Sequence, residues 1–418
     1  MSPSEGDSTS DPAHRAYSSW FLRGLVVLFL MQASVNAVRP TVSYRALDLG
    51  AGAAELGFIA AGFAILSFFV AIPVGRMIDR YREMPFVVGG LALVSTVGFA
   101  LVFVDTIWAL VLTQAILGLG QVLTVLGLQA LIANSGAQQR DSRFAAFTVV
   151  VSLGQFVGPA VGGFVSEHAR VPGGGALPQS MSLSGTIVFL GAGLTALVGC
   201  GLALSERNRR SASSRTPSSS AAQGSILRGV GKVLAQPNAP HAMAASIAVL
   251  TANDLLVAYL PAYGQAHGLS ASTVGLLLAA GAGASMLSRL FLQPMTRVVG
   301  RGRLLVVSTA VPAVALAPLP LVQSVPLLFL IMATAGFGLG MGQPLSLSWI
   351  AQTAPADMRG TAVGVRLSGN RLGQVAIPAL VGGVVGAAGI GAVFVAMAVM
   401  LAGSSVLTAN GSFPPPSG

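Results

Sequence analysis

Charge is scarce in this sequence. Only 9% of its 418 residues are Asp, Glu, Lys or Arg, where soluble domains average about 25%. So few charges cannot cover a globular surface in water, but they suit a chain solvated by lipid. Cysteine is scarcer still. Cys200 stands alone, which excludes an internal disulfide and any cysteine-based metal cluster. The signatures of common catalytic sites are missing too. There is no HExxH pair and no GxSxG turn, and His14, His168, His241 and His267 are dispersed. Gly231–Val233 reads GKV, without the upstream glycine and final Ser or Thr of a phosphate-binding loop. The expectation is a protein that is not an enzyme and holds no metal or cofactor. A cleavable signal peptide is not expected either, because residues 1–19 are polar and no small-residue cleavage site follows the first apolar run.

Apolar residues, in contrast, make up 53% of the chain. A helix needs about 20 mostly apolar residues to cross a bilayer. Twelve such runs are present, near 20–43, 56–76, 85–104, 107–132, 144–166, 184–204, 241–263, 272–295, 304–322, 325–351, 361–385 and 389–408. A serine-rich basic segment splits them into two groups of six. The predicted organisation is a disordered tail over 1–17, a six-helix bundle over 18–205, a cytoplasmic linker over 206–236, a second six-helix bundle over 237–409 and a disordered tail over 410–418. With both termini inside, 17 of the 23 Lys and Arg fall in or beside inner segments, and only Arg45 and Arg170 in outer loops. That is the positive-inside pattern. It accounts for most of the net charge of +10, so nucleic acid is not an expected partner.

The chain also repeats itself. Shifted by 219 residues, LGQFVGPA (Leu153–Ala160) falls on LGQVAIPA (Leu372–Ala379); shifted by 218, Gly50, Gly57, Gly118 and Gly120 fall on Gly268, Gly275, Gly336 and Gly338. Asn36 falls on Asp254. Two parallel six-span repeats predict an all-α integral membrane fold of twelve transmembrane helices in two pseudo-symmetric bundles, the plan of secondary transporters.

Three local patterns sharpen this reading. GRMIDRYRE, Gly75 to Glu83, lies between spans 2 and 3 and contains Asp79 and Arg80. QAILGLG, Gln114 to Gly120, lies in span 4. GQFVGPAVGG, Gly154 to Gly163, lies in span 5. Together they resemble the motifs of the major facilitator superfamily, and the span-5 motif resembles its 12-span drug:proton antiporters. The resemblance implies a cavity lined by spans 1, 4, 7 and 10. It also implies a latch from Asp79 to the N-terminal end of span 11. Where the resembled exporters carry an arginine in span 4, this chain has Gln114, which brings no fixed charge and weighs against proton antiport.

Gly154, Gly158 and Gly162 recur every four residues and share one helix stripe. Small residues let helices approach closely in lipid, and Pro159 permits a bend. With Gly163, and with Gly373 and Pro378 in the span-11 echo, they are expected to form the surface on which the halves rock.

Polar groups within the spans are functional candidates because lipid makes them costly. Gln32, Asn36, Arg39 and Ser43 fall within about 60° of arc on span 1. Arg39 either faces the centre or snorkels to the interface. Span 7 carries Thr251 and Asp254, the latter the expected proton carrier, because a drier medium favours a neutral carboxyl; the alternative is a permanently ionised partner for an arginine. Span 11 carries Arg366, Asn370, Arg371 and Gln374 on one arc of about 140°. Gln114 and Gln121 in span 4 and Gln343 in span 10 complete the expected cavity. Arg289 reads as an inner-face anchor, and Tyr44, Tyr259 and Tyr263 as interface-belt aromatics or, the rarer case, outer-side aromatic contacts. The expected function is proton-coupled export of amphipathic small molecules from the cell (inner) membrane by a monomer. An organic-anion carrier using the membrane arginines is the alternative, and a non-transporting sensor the more distant one.

Overall fold

The computed structural model describes residues 19–80, 83–133, 137–168, 183–210, 231, 235–236, 239–353, 359–385 and 388–411. The whole predicted N-terminal tail, the outer part of the C-terminal one and most of the predicted linker lie outside these residues. Among the described residues, six helices form the first half: α1 (Ser19–Asp48), α2 (Ala53–Arg80), α3 (Met84–Ala100), α4 (Ile107–Ala133), α5 (Ala137–His168) and α6 (Leu183–Arg210). The second half holds α7 (Ala239–Ala266), α8 (Ala271–Leu290), the short α9 (Leu292–Val299), α10 (Arg301–Leu316), α11 (Val325–Thr353), α12 (Arg359–Val385) and α13 (Gly391–Ala409). The twelve predicted spans are all helices. Eleven are long and apolar enough to cross a membrane. The twelfth, α12, is 27 residues long, and its polar face lowers its mean hydropathy.

Span 8 was expected to run unbroken to residue 295. Instead it ends at Phe291, and α9 begins at Leu292. Pro294 sits in the first turn of α9, where its missing N–H costs no hydrogen bond.

The repeat is visible in the backbone. α1 and α7 end on glycines in the left-handed region, Gly50 at φ 82° and Gly268 at φ 67°. In each case the next residue's N–H reaches back to the helix, from Ala51 to the Ala46 carbonyl (2.9 Å) and from Leu269 to the Gly264 carbonyl (2.8 Å). These are the same cap made twice, 218 residues apart, and glycine adopts it without a side-chain clash.

The seam between the halves is duplicated as well. A Cβ on Gly57 in α2 would strike the Pro378 carbonyl in α12; one on Gly275 in α8 would strike the Pro159 carbonyl in α5. Both contacts lie at the end of the bundle away from the chain termini. At that far end Tyr259 in α7 donates to the Ala53 carbonyl of α2 at 2.6 Å, and Glu167 Oε2 in α5 accepts from the Ser272 N–H of α8 at 3.0 Å. The far end is closed.

The structure corrects the reading of the span-5 glycines. Gly154, Gly158 and Gly162 pack on Gln32, Ala33, Asn36 and Ala37 of α1, inside their own half. Gly373 likewise meets Ile247 of α7 within the second half. Only Gly163 faces the other half, against Ala271 and Gly275. The stripe joins α5 to α1; the seam is made by the next face round. Gly75 has nothing within 4 Å of an added Cβ. Asp79 and Arg80 close α2, but their side chains lie outside the described residues, so the expected latch does too.

An added methyl at the seam overpacks a backbone contact. Gly57→Ala and Gly275→Ala are each expected to destabilise the protein in detergent by about 1–3 kcal/mol. Gly75→Ala is expected to be neutral or slightly stabilising, through helix propensity of up to about 1 kcal/mol. Unfolding midpoints of the three variants check this.

Candidate functional site

The polar stripe of α1 faces protein. Gln32, Asn36 and Ser43 are buried. Asn36 Nδ2 donates to the Gln32 carbonyl one turn earlier (2.7 Å), and Gln121 Nε2 of α4 donates to Gln32 Oε1 (2.9 Å). Gln114, also in α4, is 2% exposed, and its Nε2 has no hydrogen-bond partner among the described residues.

Arg39 does not snorkel. Its Nη2 donates to Asp254 Oδ1 across the seam at 2.8 Å, with side-chain exposures of 11% and 9%. The guanidinium also lies over the Phe63 ring, 4.1 Å from its centroid, a favourable place for a cation. The second carboxylate oxygen, Oδ2, accepts from Gln374 Nε2 of α12. Gln374 Oε1 in turn accepts from Arg371 Nη1 at 3.1 Å. The chemistry fixes this amide's orientation, because an ionised carboxylate only accepts and a guanidinium only donates. Arg39, Asp254, Gln374 and Arg371 therefore form one chain through α1, α7 and α12, carrying two positive charges and one negative. Thr251 is fully buried one turn before Asp254, and its hydroxyl has no partner among the described residues.

A second cluster sits nearer the end bearing the termini. Gln343 Nε2 of α11 donates to the Ser246 carbonyl of α7 (2.7 Å), and Ser246 Oγ donates to Asn370 Oδ1 of α12 (2.8 Å). Arg366 Nη2 donates to Gln343 Oε1 (2.7 Å) and to Ser346 Oγ (2.9 Å). Arg366 is only 4% exposed, so it too does not snorkel, and its partners are all neutral.

Other expectations fail at the edges. Arg45 is not a loop residue. It lies in the last turn of α1, is buried, and donates to the Val104 carbonyl through Nη2 (3.1 Å). Tyr259 and Tyr263 are fully buried rather than belted, each spending its hydroxyl on backbone carbonyls. Arg289 is not an anchor at the interface. It reaches from α8 across the seam, Nη1 to Ser152 Oγ of α5, 2.8 Å. Sequence reasoning placed Gln374 on the polar arc of span 11 without pairing it with Asp254, and it missed Phe63, Ser246 and Ser152. A serine, a phenylalanine or an amide in a membrane helix carries no signal until its neighbour is known.

A cavity of about 510 Å³ opens beside the second cluster, between α5, α8 and α11, with Arg289, Gln343 and Arg366 on its wall. Among the described residues no group of His, Cys, Asp and Glu could hold a metal ion.

Residues 24–365 and 242–417 match the description of the Major Facilitator Superfamily. The chain belongs to that superfamily. That membership and the eleven helices long and apolar enough to cross a membrane give the chain a multi-pass membrane plan. Over 153 residues it is 28% identical to multidrug resistance protein 1 of Bacillus subtilis (strain 168), covering 36% of this chain and 39% of that protein. Over 147 residues it is 26% identical to quinolone resistance protein NorA of Staphylococcus aureus, covering 35% and 38%. The chain thus spans under two-fifths of the length of these relatives. Among solved structures it is similar to a bacterial homologue of the human lysosomal transporter Spinster (TM-score 0.73, 15% identity, 96% of this chain and 97% of that one). It is also similar to the nucleoside transporter NupG (TM-score 0.69, 14% identity, 94% and 100%). At those identities the likeness is one of fold.

The facilitator's central ion pair sets a clear expectation. Removing one partner of a buried pair strands the other charge, at a cost of about 3–5 kcal/mol. Arg39→Gln and Asp254→Asn should each destabilise strongly, and the double variant by less than their sum. Unfolding of the four proteins closes the cycle; additive effects would contradict the pairing.

Proposed function

We propose that this facilitator is a secondary active exporter of amphipathic small molecules, working by alternating access as a monomer in the cell (inner) membrane with both termini cytoplasmic. The proton is the proposed coupling ion and Asp254 its carrier. One observation carries the reading: the Arg39–Asp254 pair ties α1 of one half to α7 of the other.

Protonation of Asp254 removes the negative charge that holds Arg39. The carboxyl can then keep one hydrogen bond, but not the ion pair. The charged groups facing Asp254 are Arg39 directly and Arg371 through Gln374, so a neutral Asp254 leaves two like charges near the seam. Their repulsion favours separation of the halves. Gln114 and Thr251, buried with unused hydrogen-bonding capacity, are proposed to meet substrate once the seam opens. The export direction draws support from the two relatives, one a multidrug resistance and one a quinolone resistance protein.

A second reading, an organic-anion carrier, is favoured by Arg366 and Arg371, whose hydrogen-bond partners are amides, a hydroxyl and a carbonyl.

Proteoliposomes test the coupling. With an imposed pH gradient, a fluorescent quinolone or tetraphenylphosphonium is expected to accumulate against its own gradient. In Asp254→Asn, gradient-driven accumulation should fall at least about tenfold, equivalent to 1.4 kcal/mol of lost coupling, while exchange without a pH gradient persists. Undiminished gradient-driven transport in that variant would rule out Asp254 as the proton site.

A further inference from the structure

We infer that the cavity between α5, α8 and α11 is a binding site for an amphipathic anion, with Arg289 and Arg366 taking a phosphate, carboxylate or similar head group. The volume, about 510 Å³, lies within the usual range for small-molecule sites, roughly 300–1,000 Å³. Two arginines line it, and arginine stays charged in any surroundings. Neither has a carboxylate partner among the described residues. Arg289 donates through Nε to the Gly340 carbonyl (3.3 Å) and through Nη1 to Ser152 Oγ (2.8 Å). Arg366 donates through Nε and Nη2 to Ser346 Oγ, and through Nη2 also to Gln343 Oε1 and the Gln343 carbonyl. Among the described residues, that leaves Nη2 of Arg289 and Nη1 of Arg366 without a protein acceptor.

Two like charges facing one cavity repel, and neither has a counter-charge among the described residues. An anion supplies both the charge and the missing acceptors, in the geometry that guanidinium groups favour. Apart from Thr148, Ser152 and Gln343 the remaining wall is apolar, with Val149, Met286, Leu290 and Leu347, so the anion should carry an apolar body. The site is separate from Asp254, whose partners are Arg39 and Gln374. Its role in transport rests on the exporter reading; its existence does not, because binding can be measured without transport.

The test uses the full chain in dodecyl maltoside and follows the thermal unfolding midpoint. The probes are laurate, dioleoyl phosphatidylglycerol, dioleoyl phosphatidylcholine and dodecyltrimethylammonium. The anionic probes are expected to raise the midpoint relative to the zwitterionic and cationic ones, and that difference should be at least halved in Arg289→Gln and in Arg366→Gln. Arg289→Lys, which keeps the charge, should retain part of it and serves as the control for folding. A shift with phosphatidylglycerol alone assigns the site to a lipid head group; a shift with laurate alone assigns it to a soluble amphiphile. No anion-specific shift, or one unchanged in both glutamine variants, would overturn the inference. Loss of pH-driven transport with anion binding intact would count against the coupling mechanism only.

Discussion

Arg39 and Asp254 meet at 2.8 Å in a part of the molecule where neither could stand alone. An isolated charge in a membrane interior is costly, so each residue is conditional on the other. The two belong to different halves of the repeat. Whatever weakens the pair therefore also loosens the seam. Gln374 and Arg371 extend the chain to α12, the same helix whose Pro378 carbonyl receives Gly57. The charged centre and the closed far end are thus built on shared helices, and under the proposed coupling these helices link a change of protonation to the far end.

Symmetry and asymmetry divide the labour. The far end is made of contacts that appear twice: Gly50 and Gly268, Gly57 and Gly275, Pro159 and Pro378. A duplicated hinge lets two similar bundles rock about an axis between them. The centre is not duplicated. Asn36 occupies the position equivalent to Asp254, yet it only caps a carbonyl of its own helix. The arginines that face Asp254 directly and through Gln374 come from one helix of each half, and the second cluster of α7, α11 and α12 has no counterpart of the same composition in the first half. The proposed function lies where the repeat was broken.

Much of this was legible in the sequence. The twelve helices followed from apolar run lengths, and the two-fold relation from sliding the chain over itself. Asp254 stood out as the one acid well inside a span. What stayed hidden was partnership. Arg39 and Asp254 are 215 positions apart, and a guanidinium near a helix end fits snorkelling as well as pairing. Arg289 was misread for the same reason. The span-5 stripe announced close packing, but small residues do not say which neighbour they admit, and α1 proved to be that neighbour. Tyr259 and Tyr263 look like belt residues by composition and position; only the buried carbonyls of Ala53, Leu319 and Val322 explain their place.

The central claim is that the Arg39–Asp254 pair holds the far end shut. Phe103 and Leu321 sit at that end, one in each half and 218 residues apart, and both are highly exposed. Spin labels at Phe103→Cys and Leu321→Cys, in a background with the single cysteine replaced by Cys200→Ala, report the separation of the halves by pulsed electron resonance. The account predicts one short distance at neutral pH, a growing longer population on acidification, and the longer population already present at neutral pH in Asp254→Asn. An identical, pH-independent short distance in both proteins would contradict it.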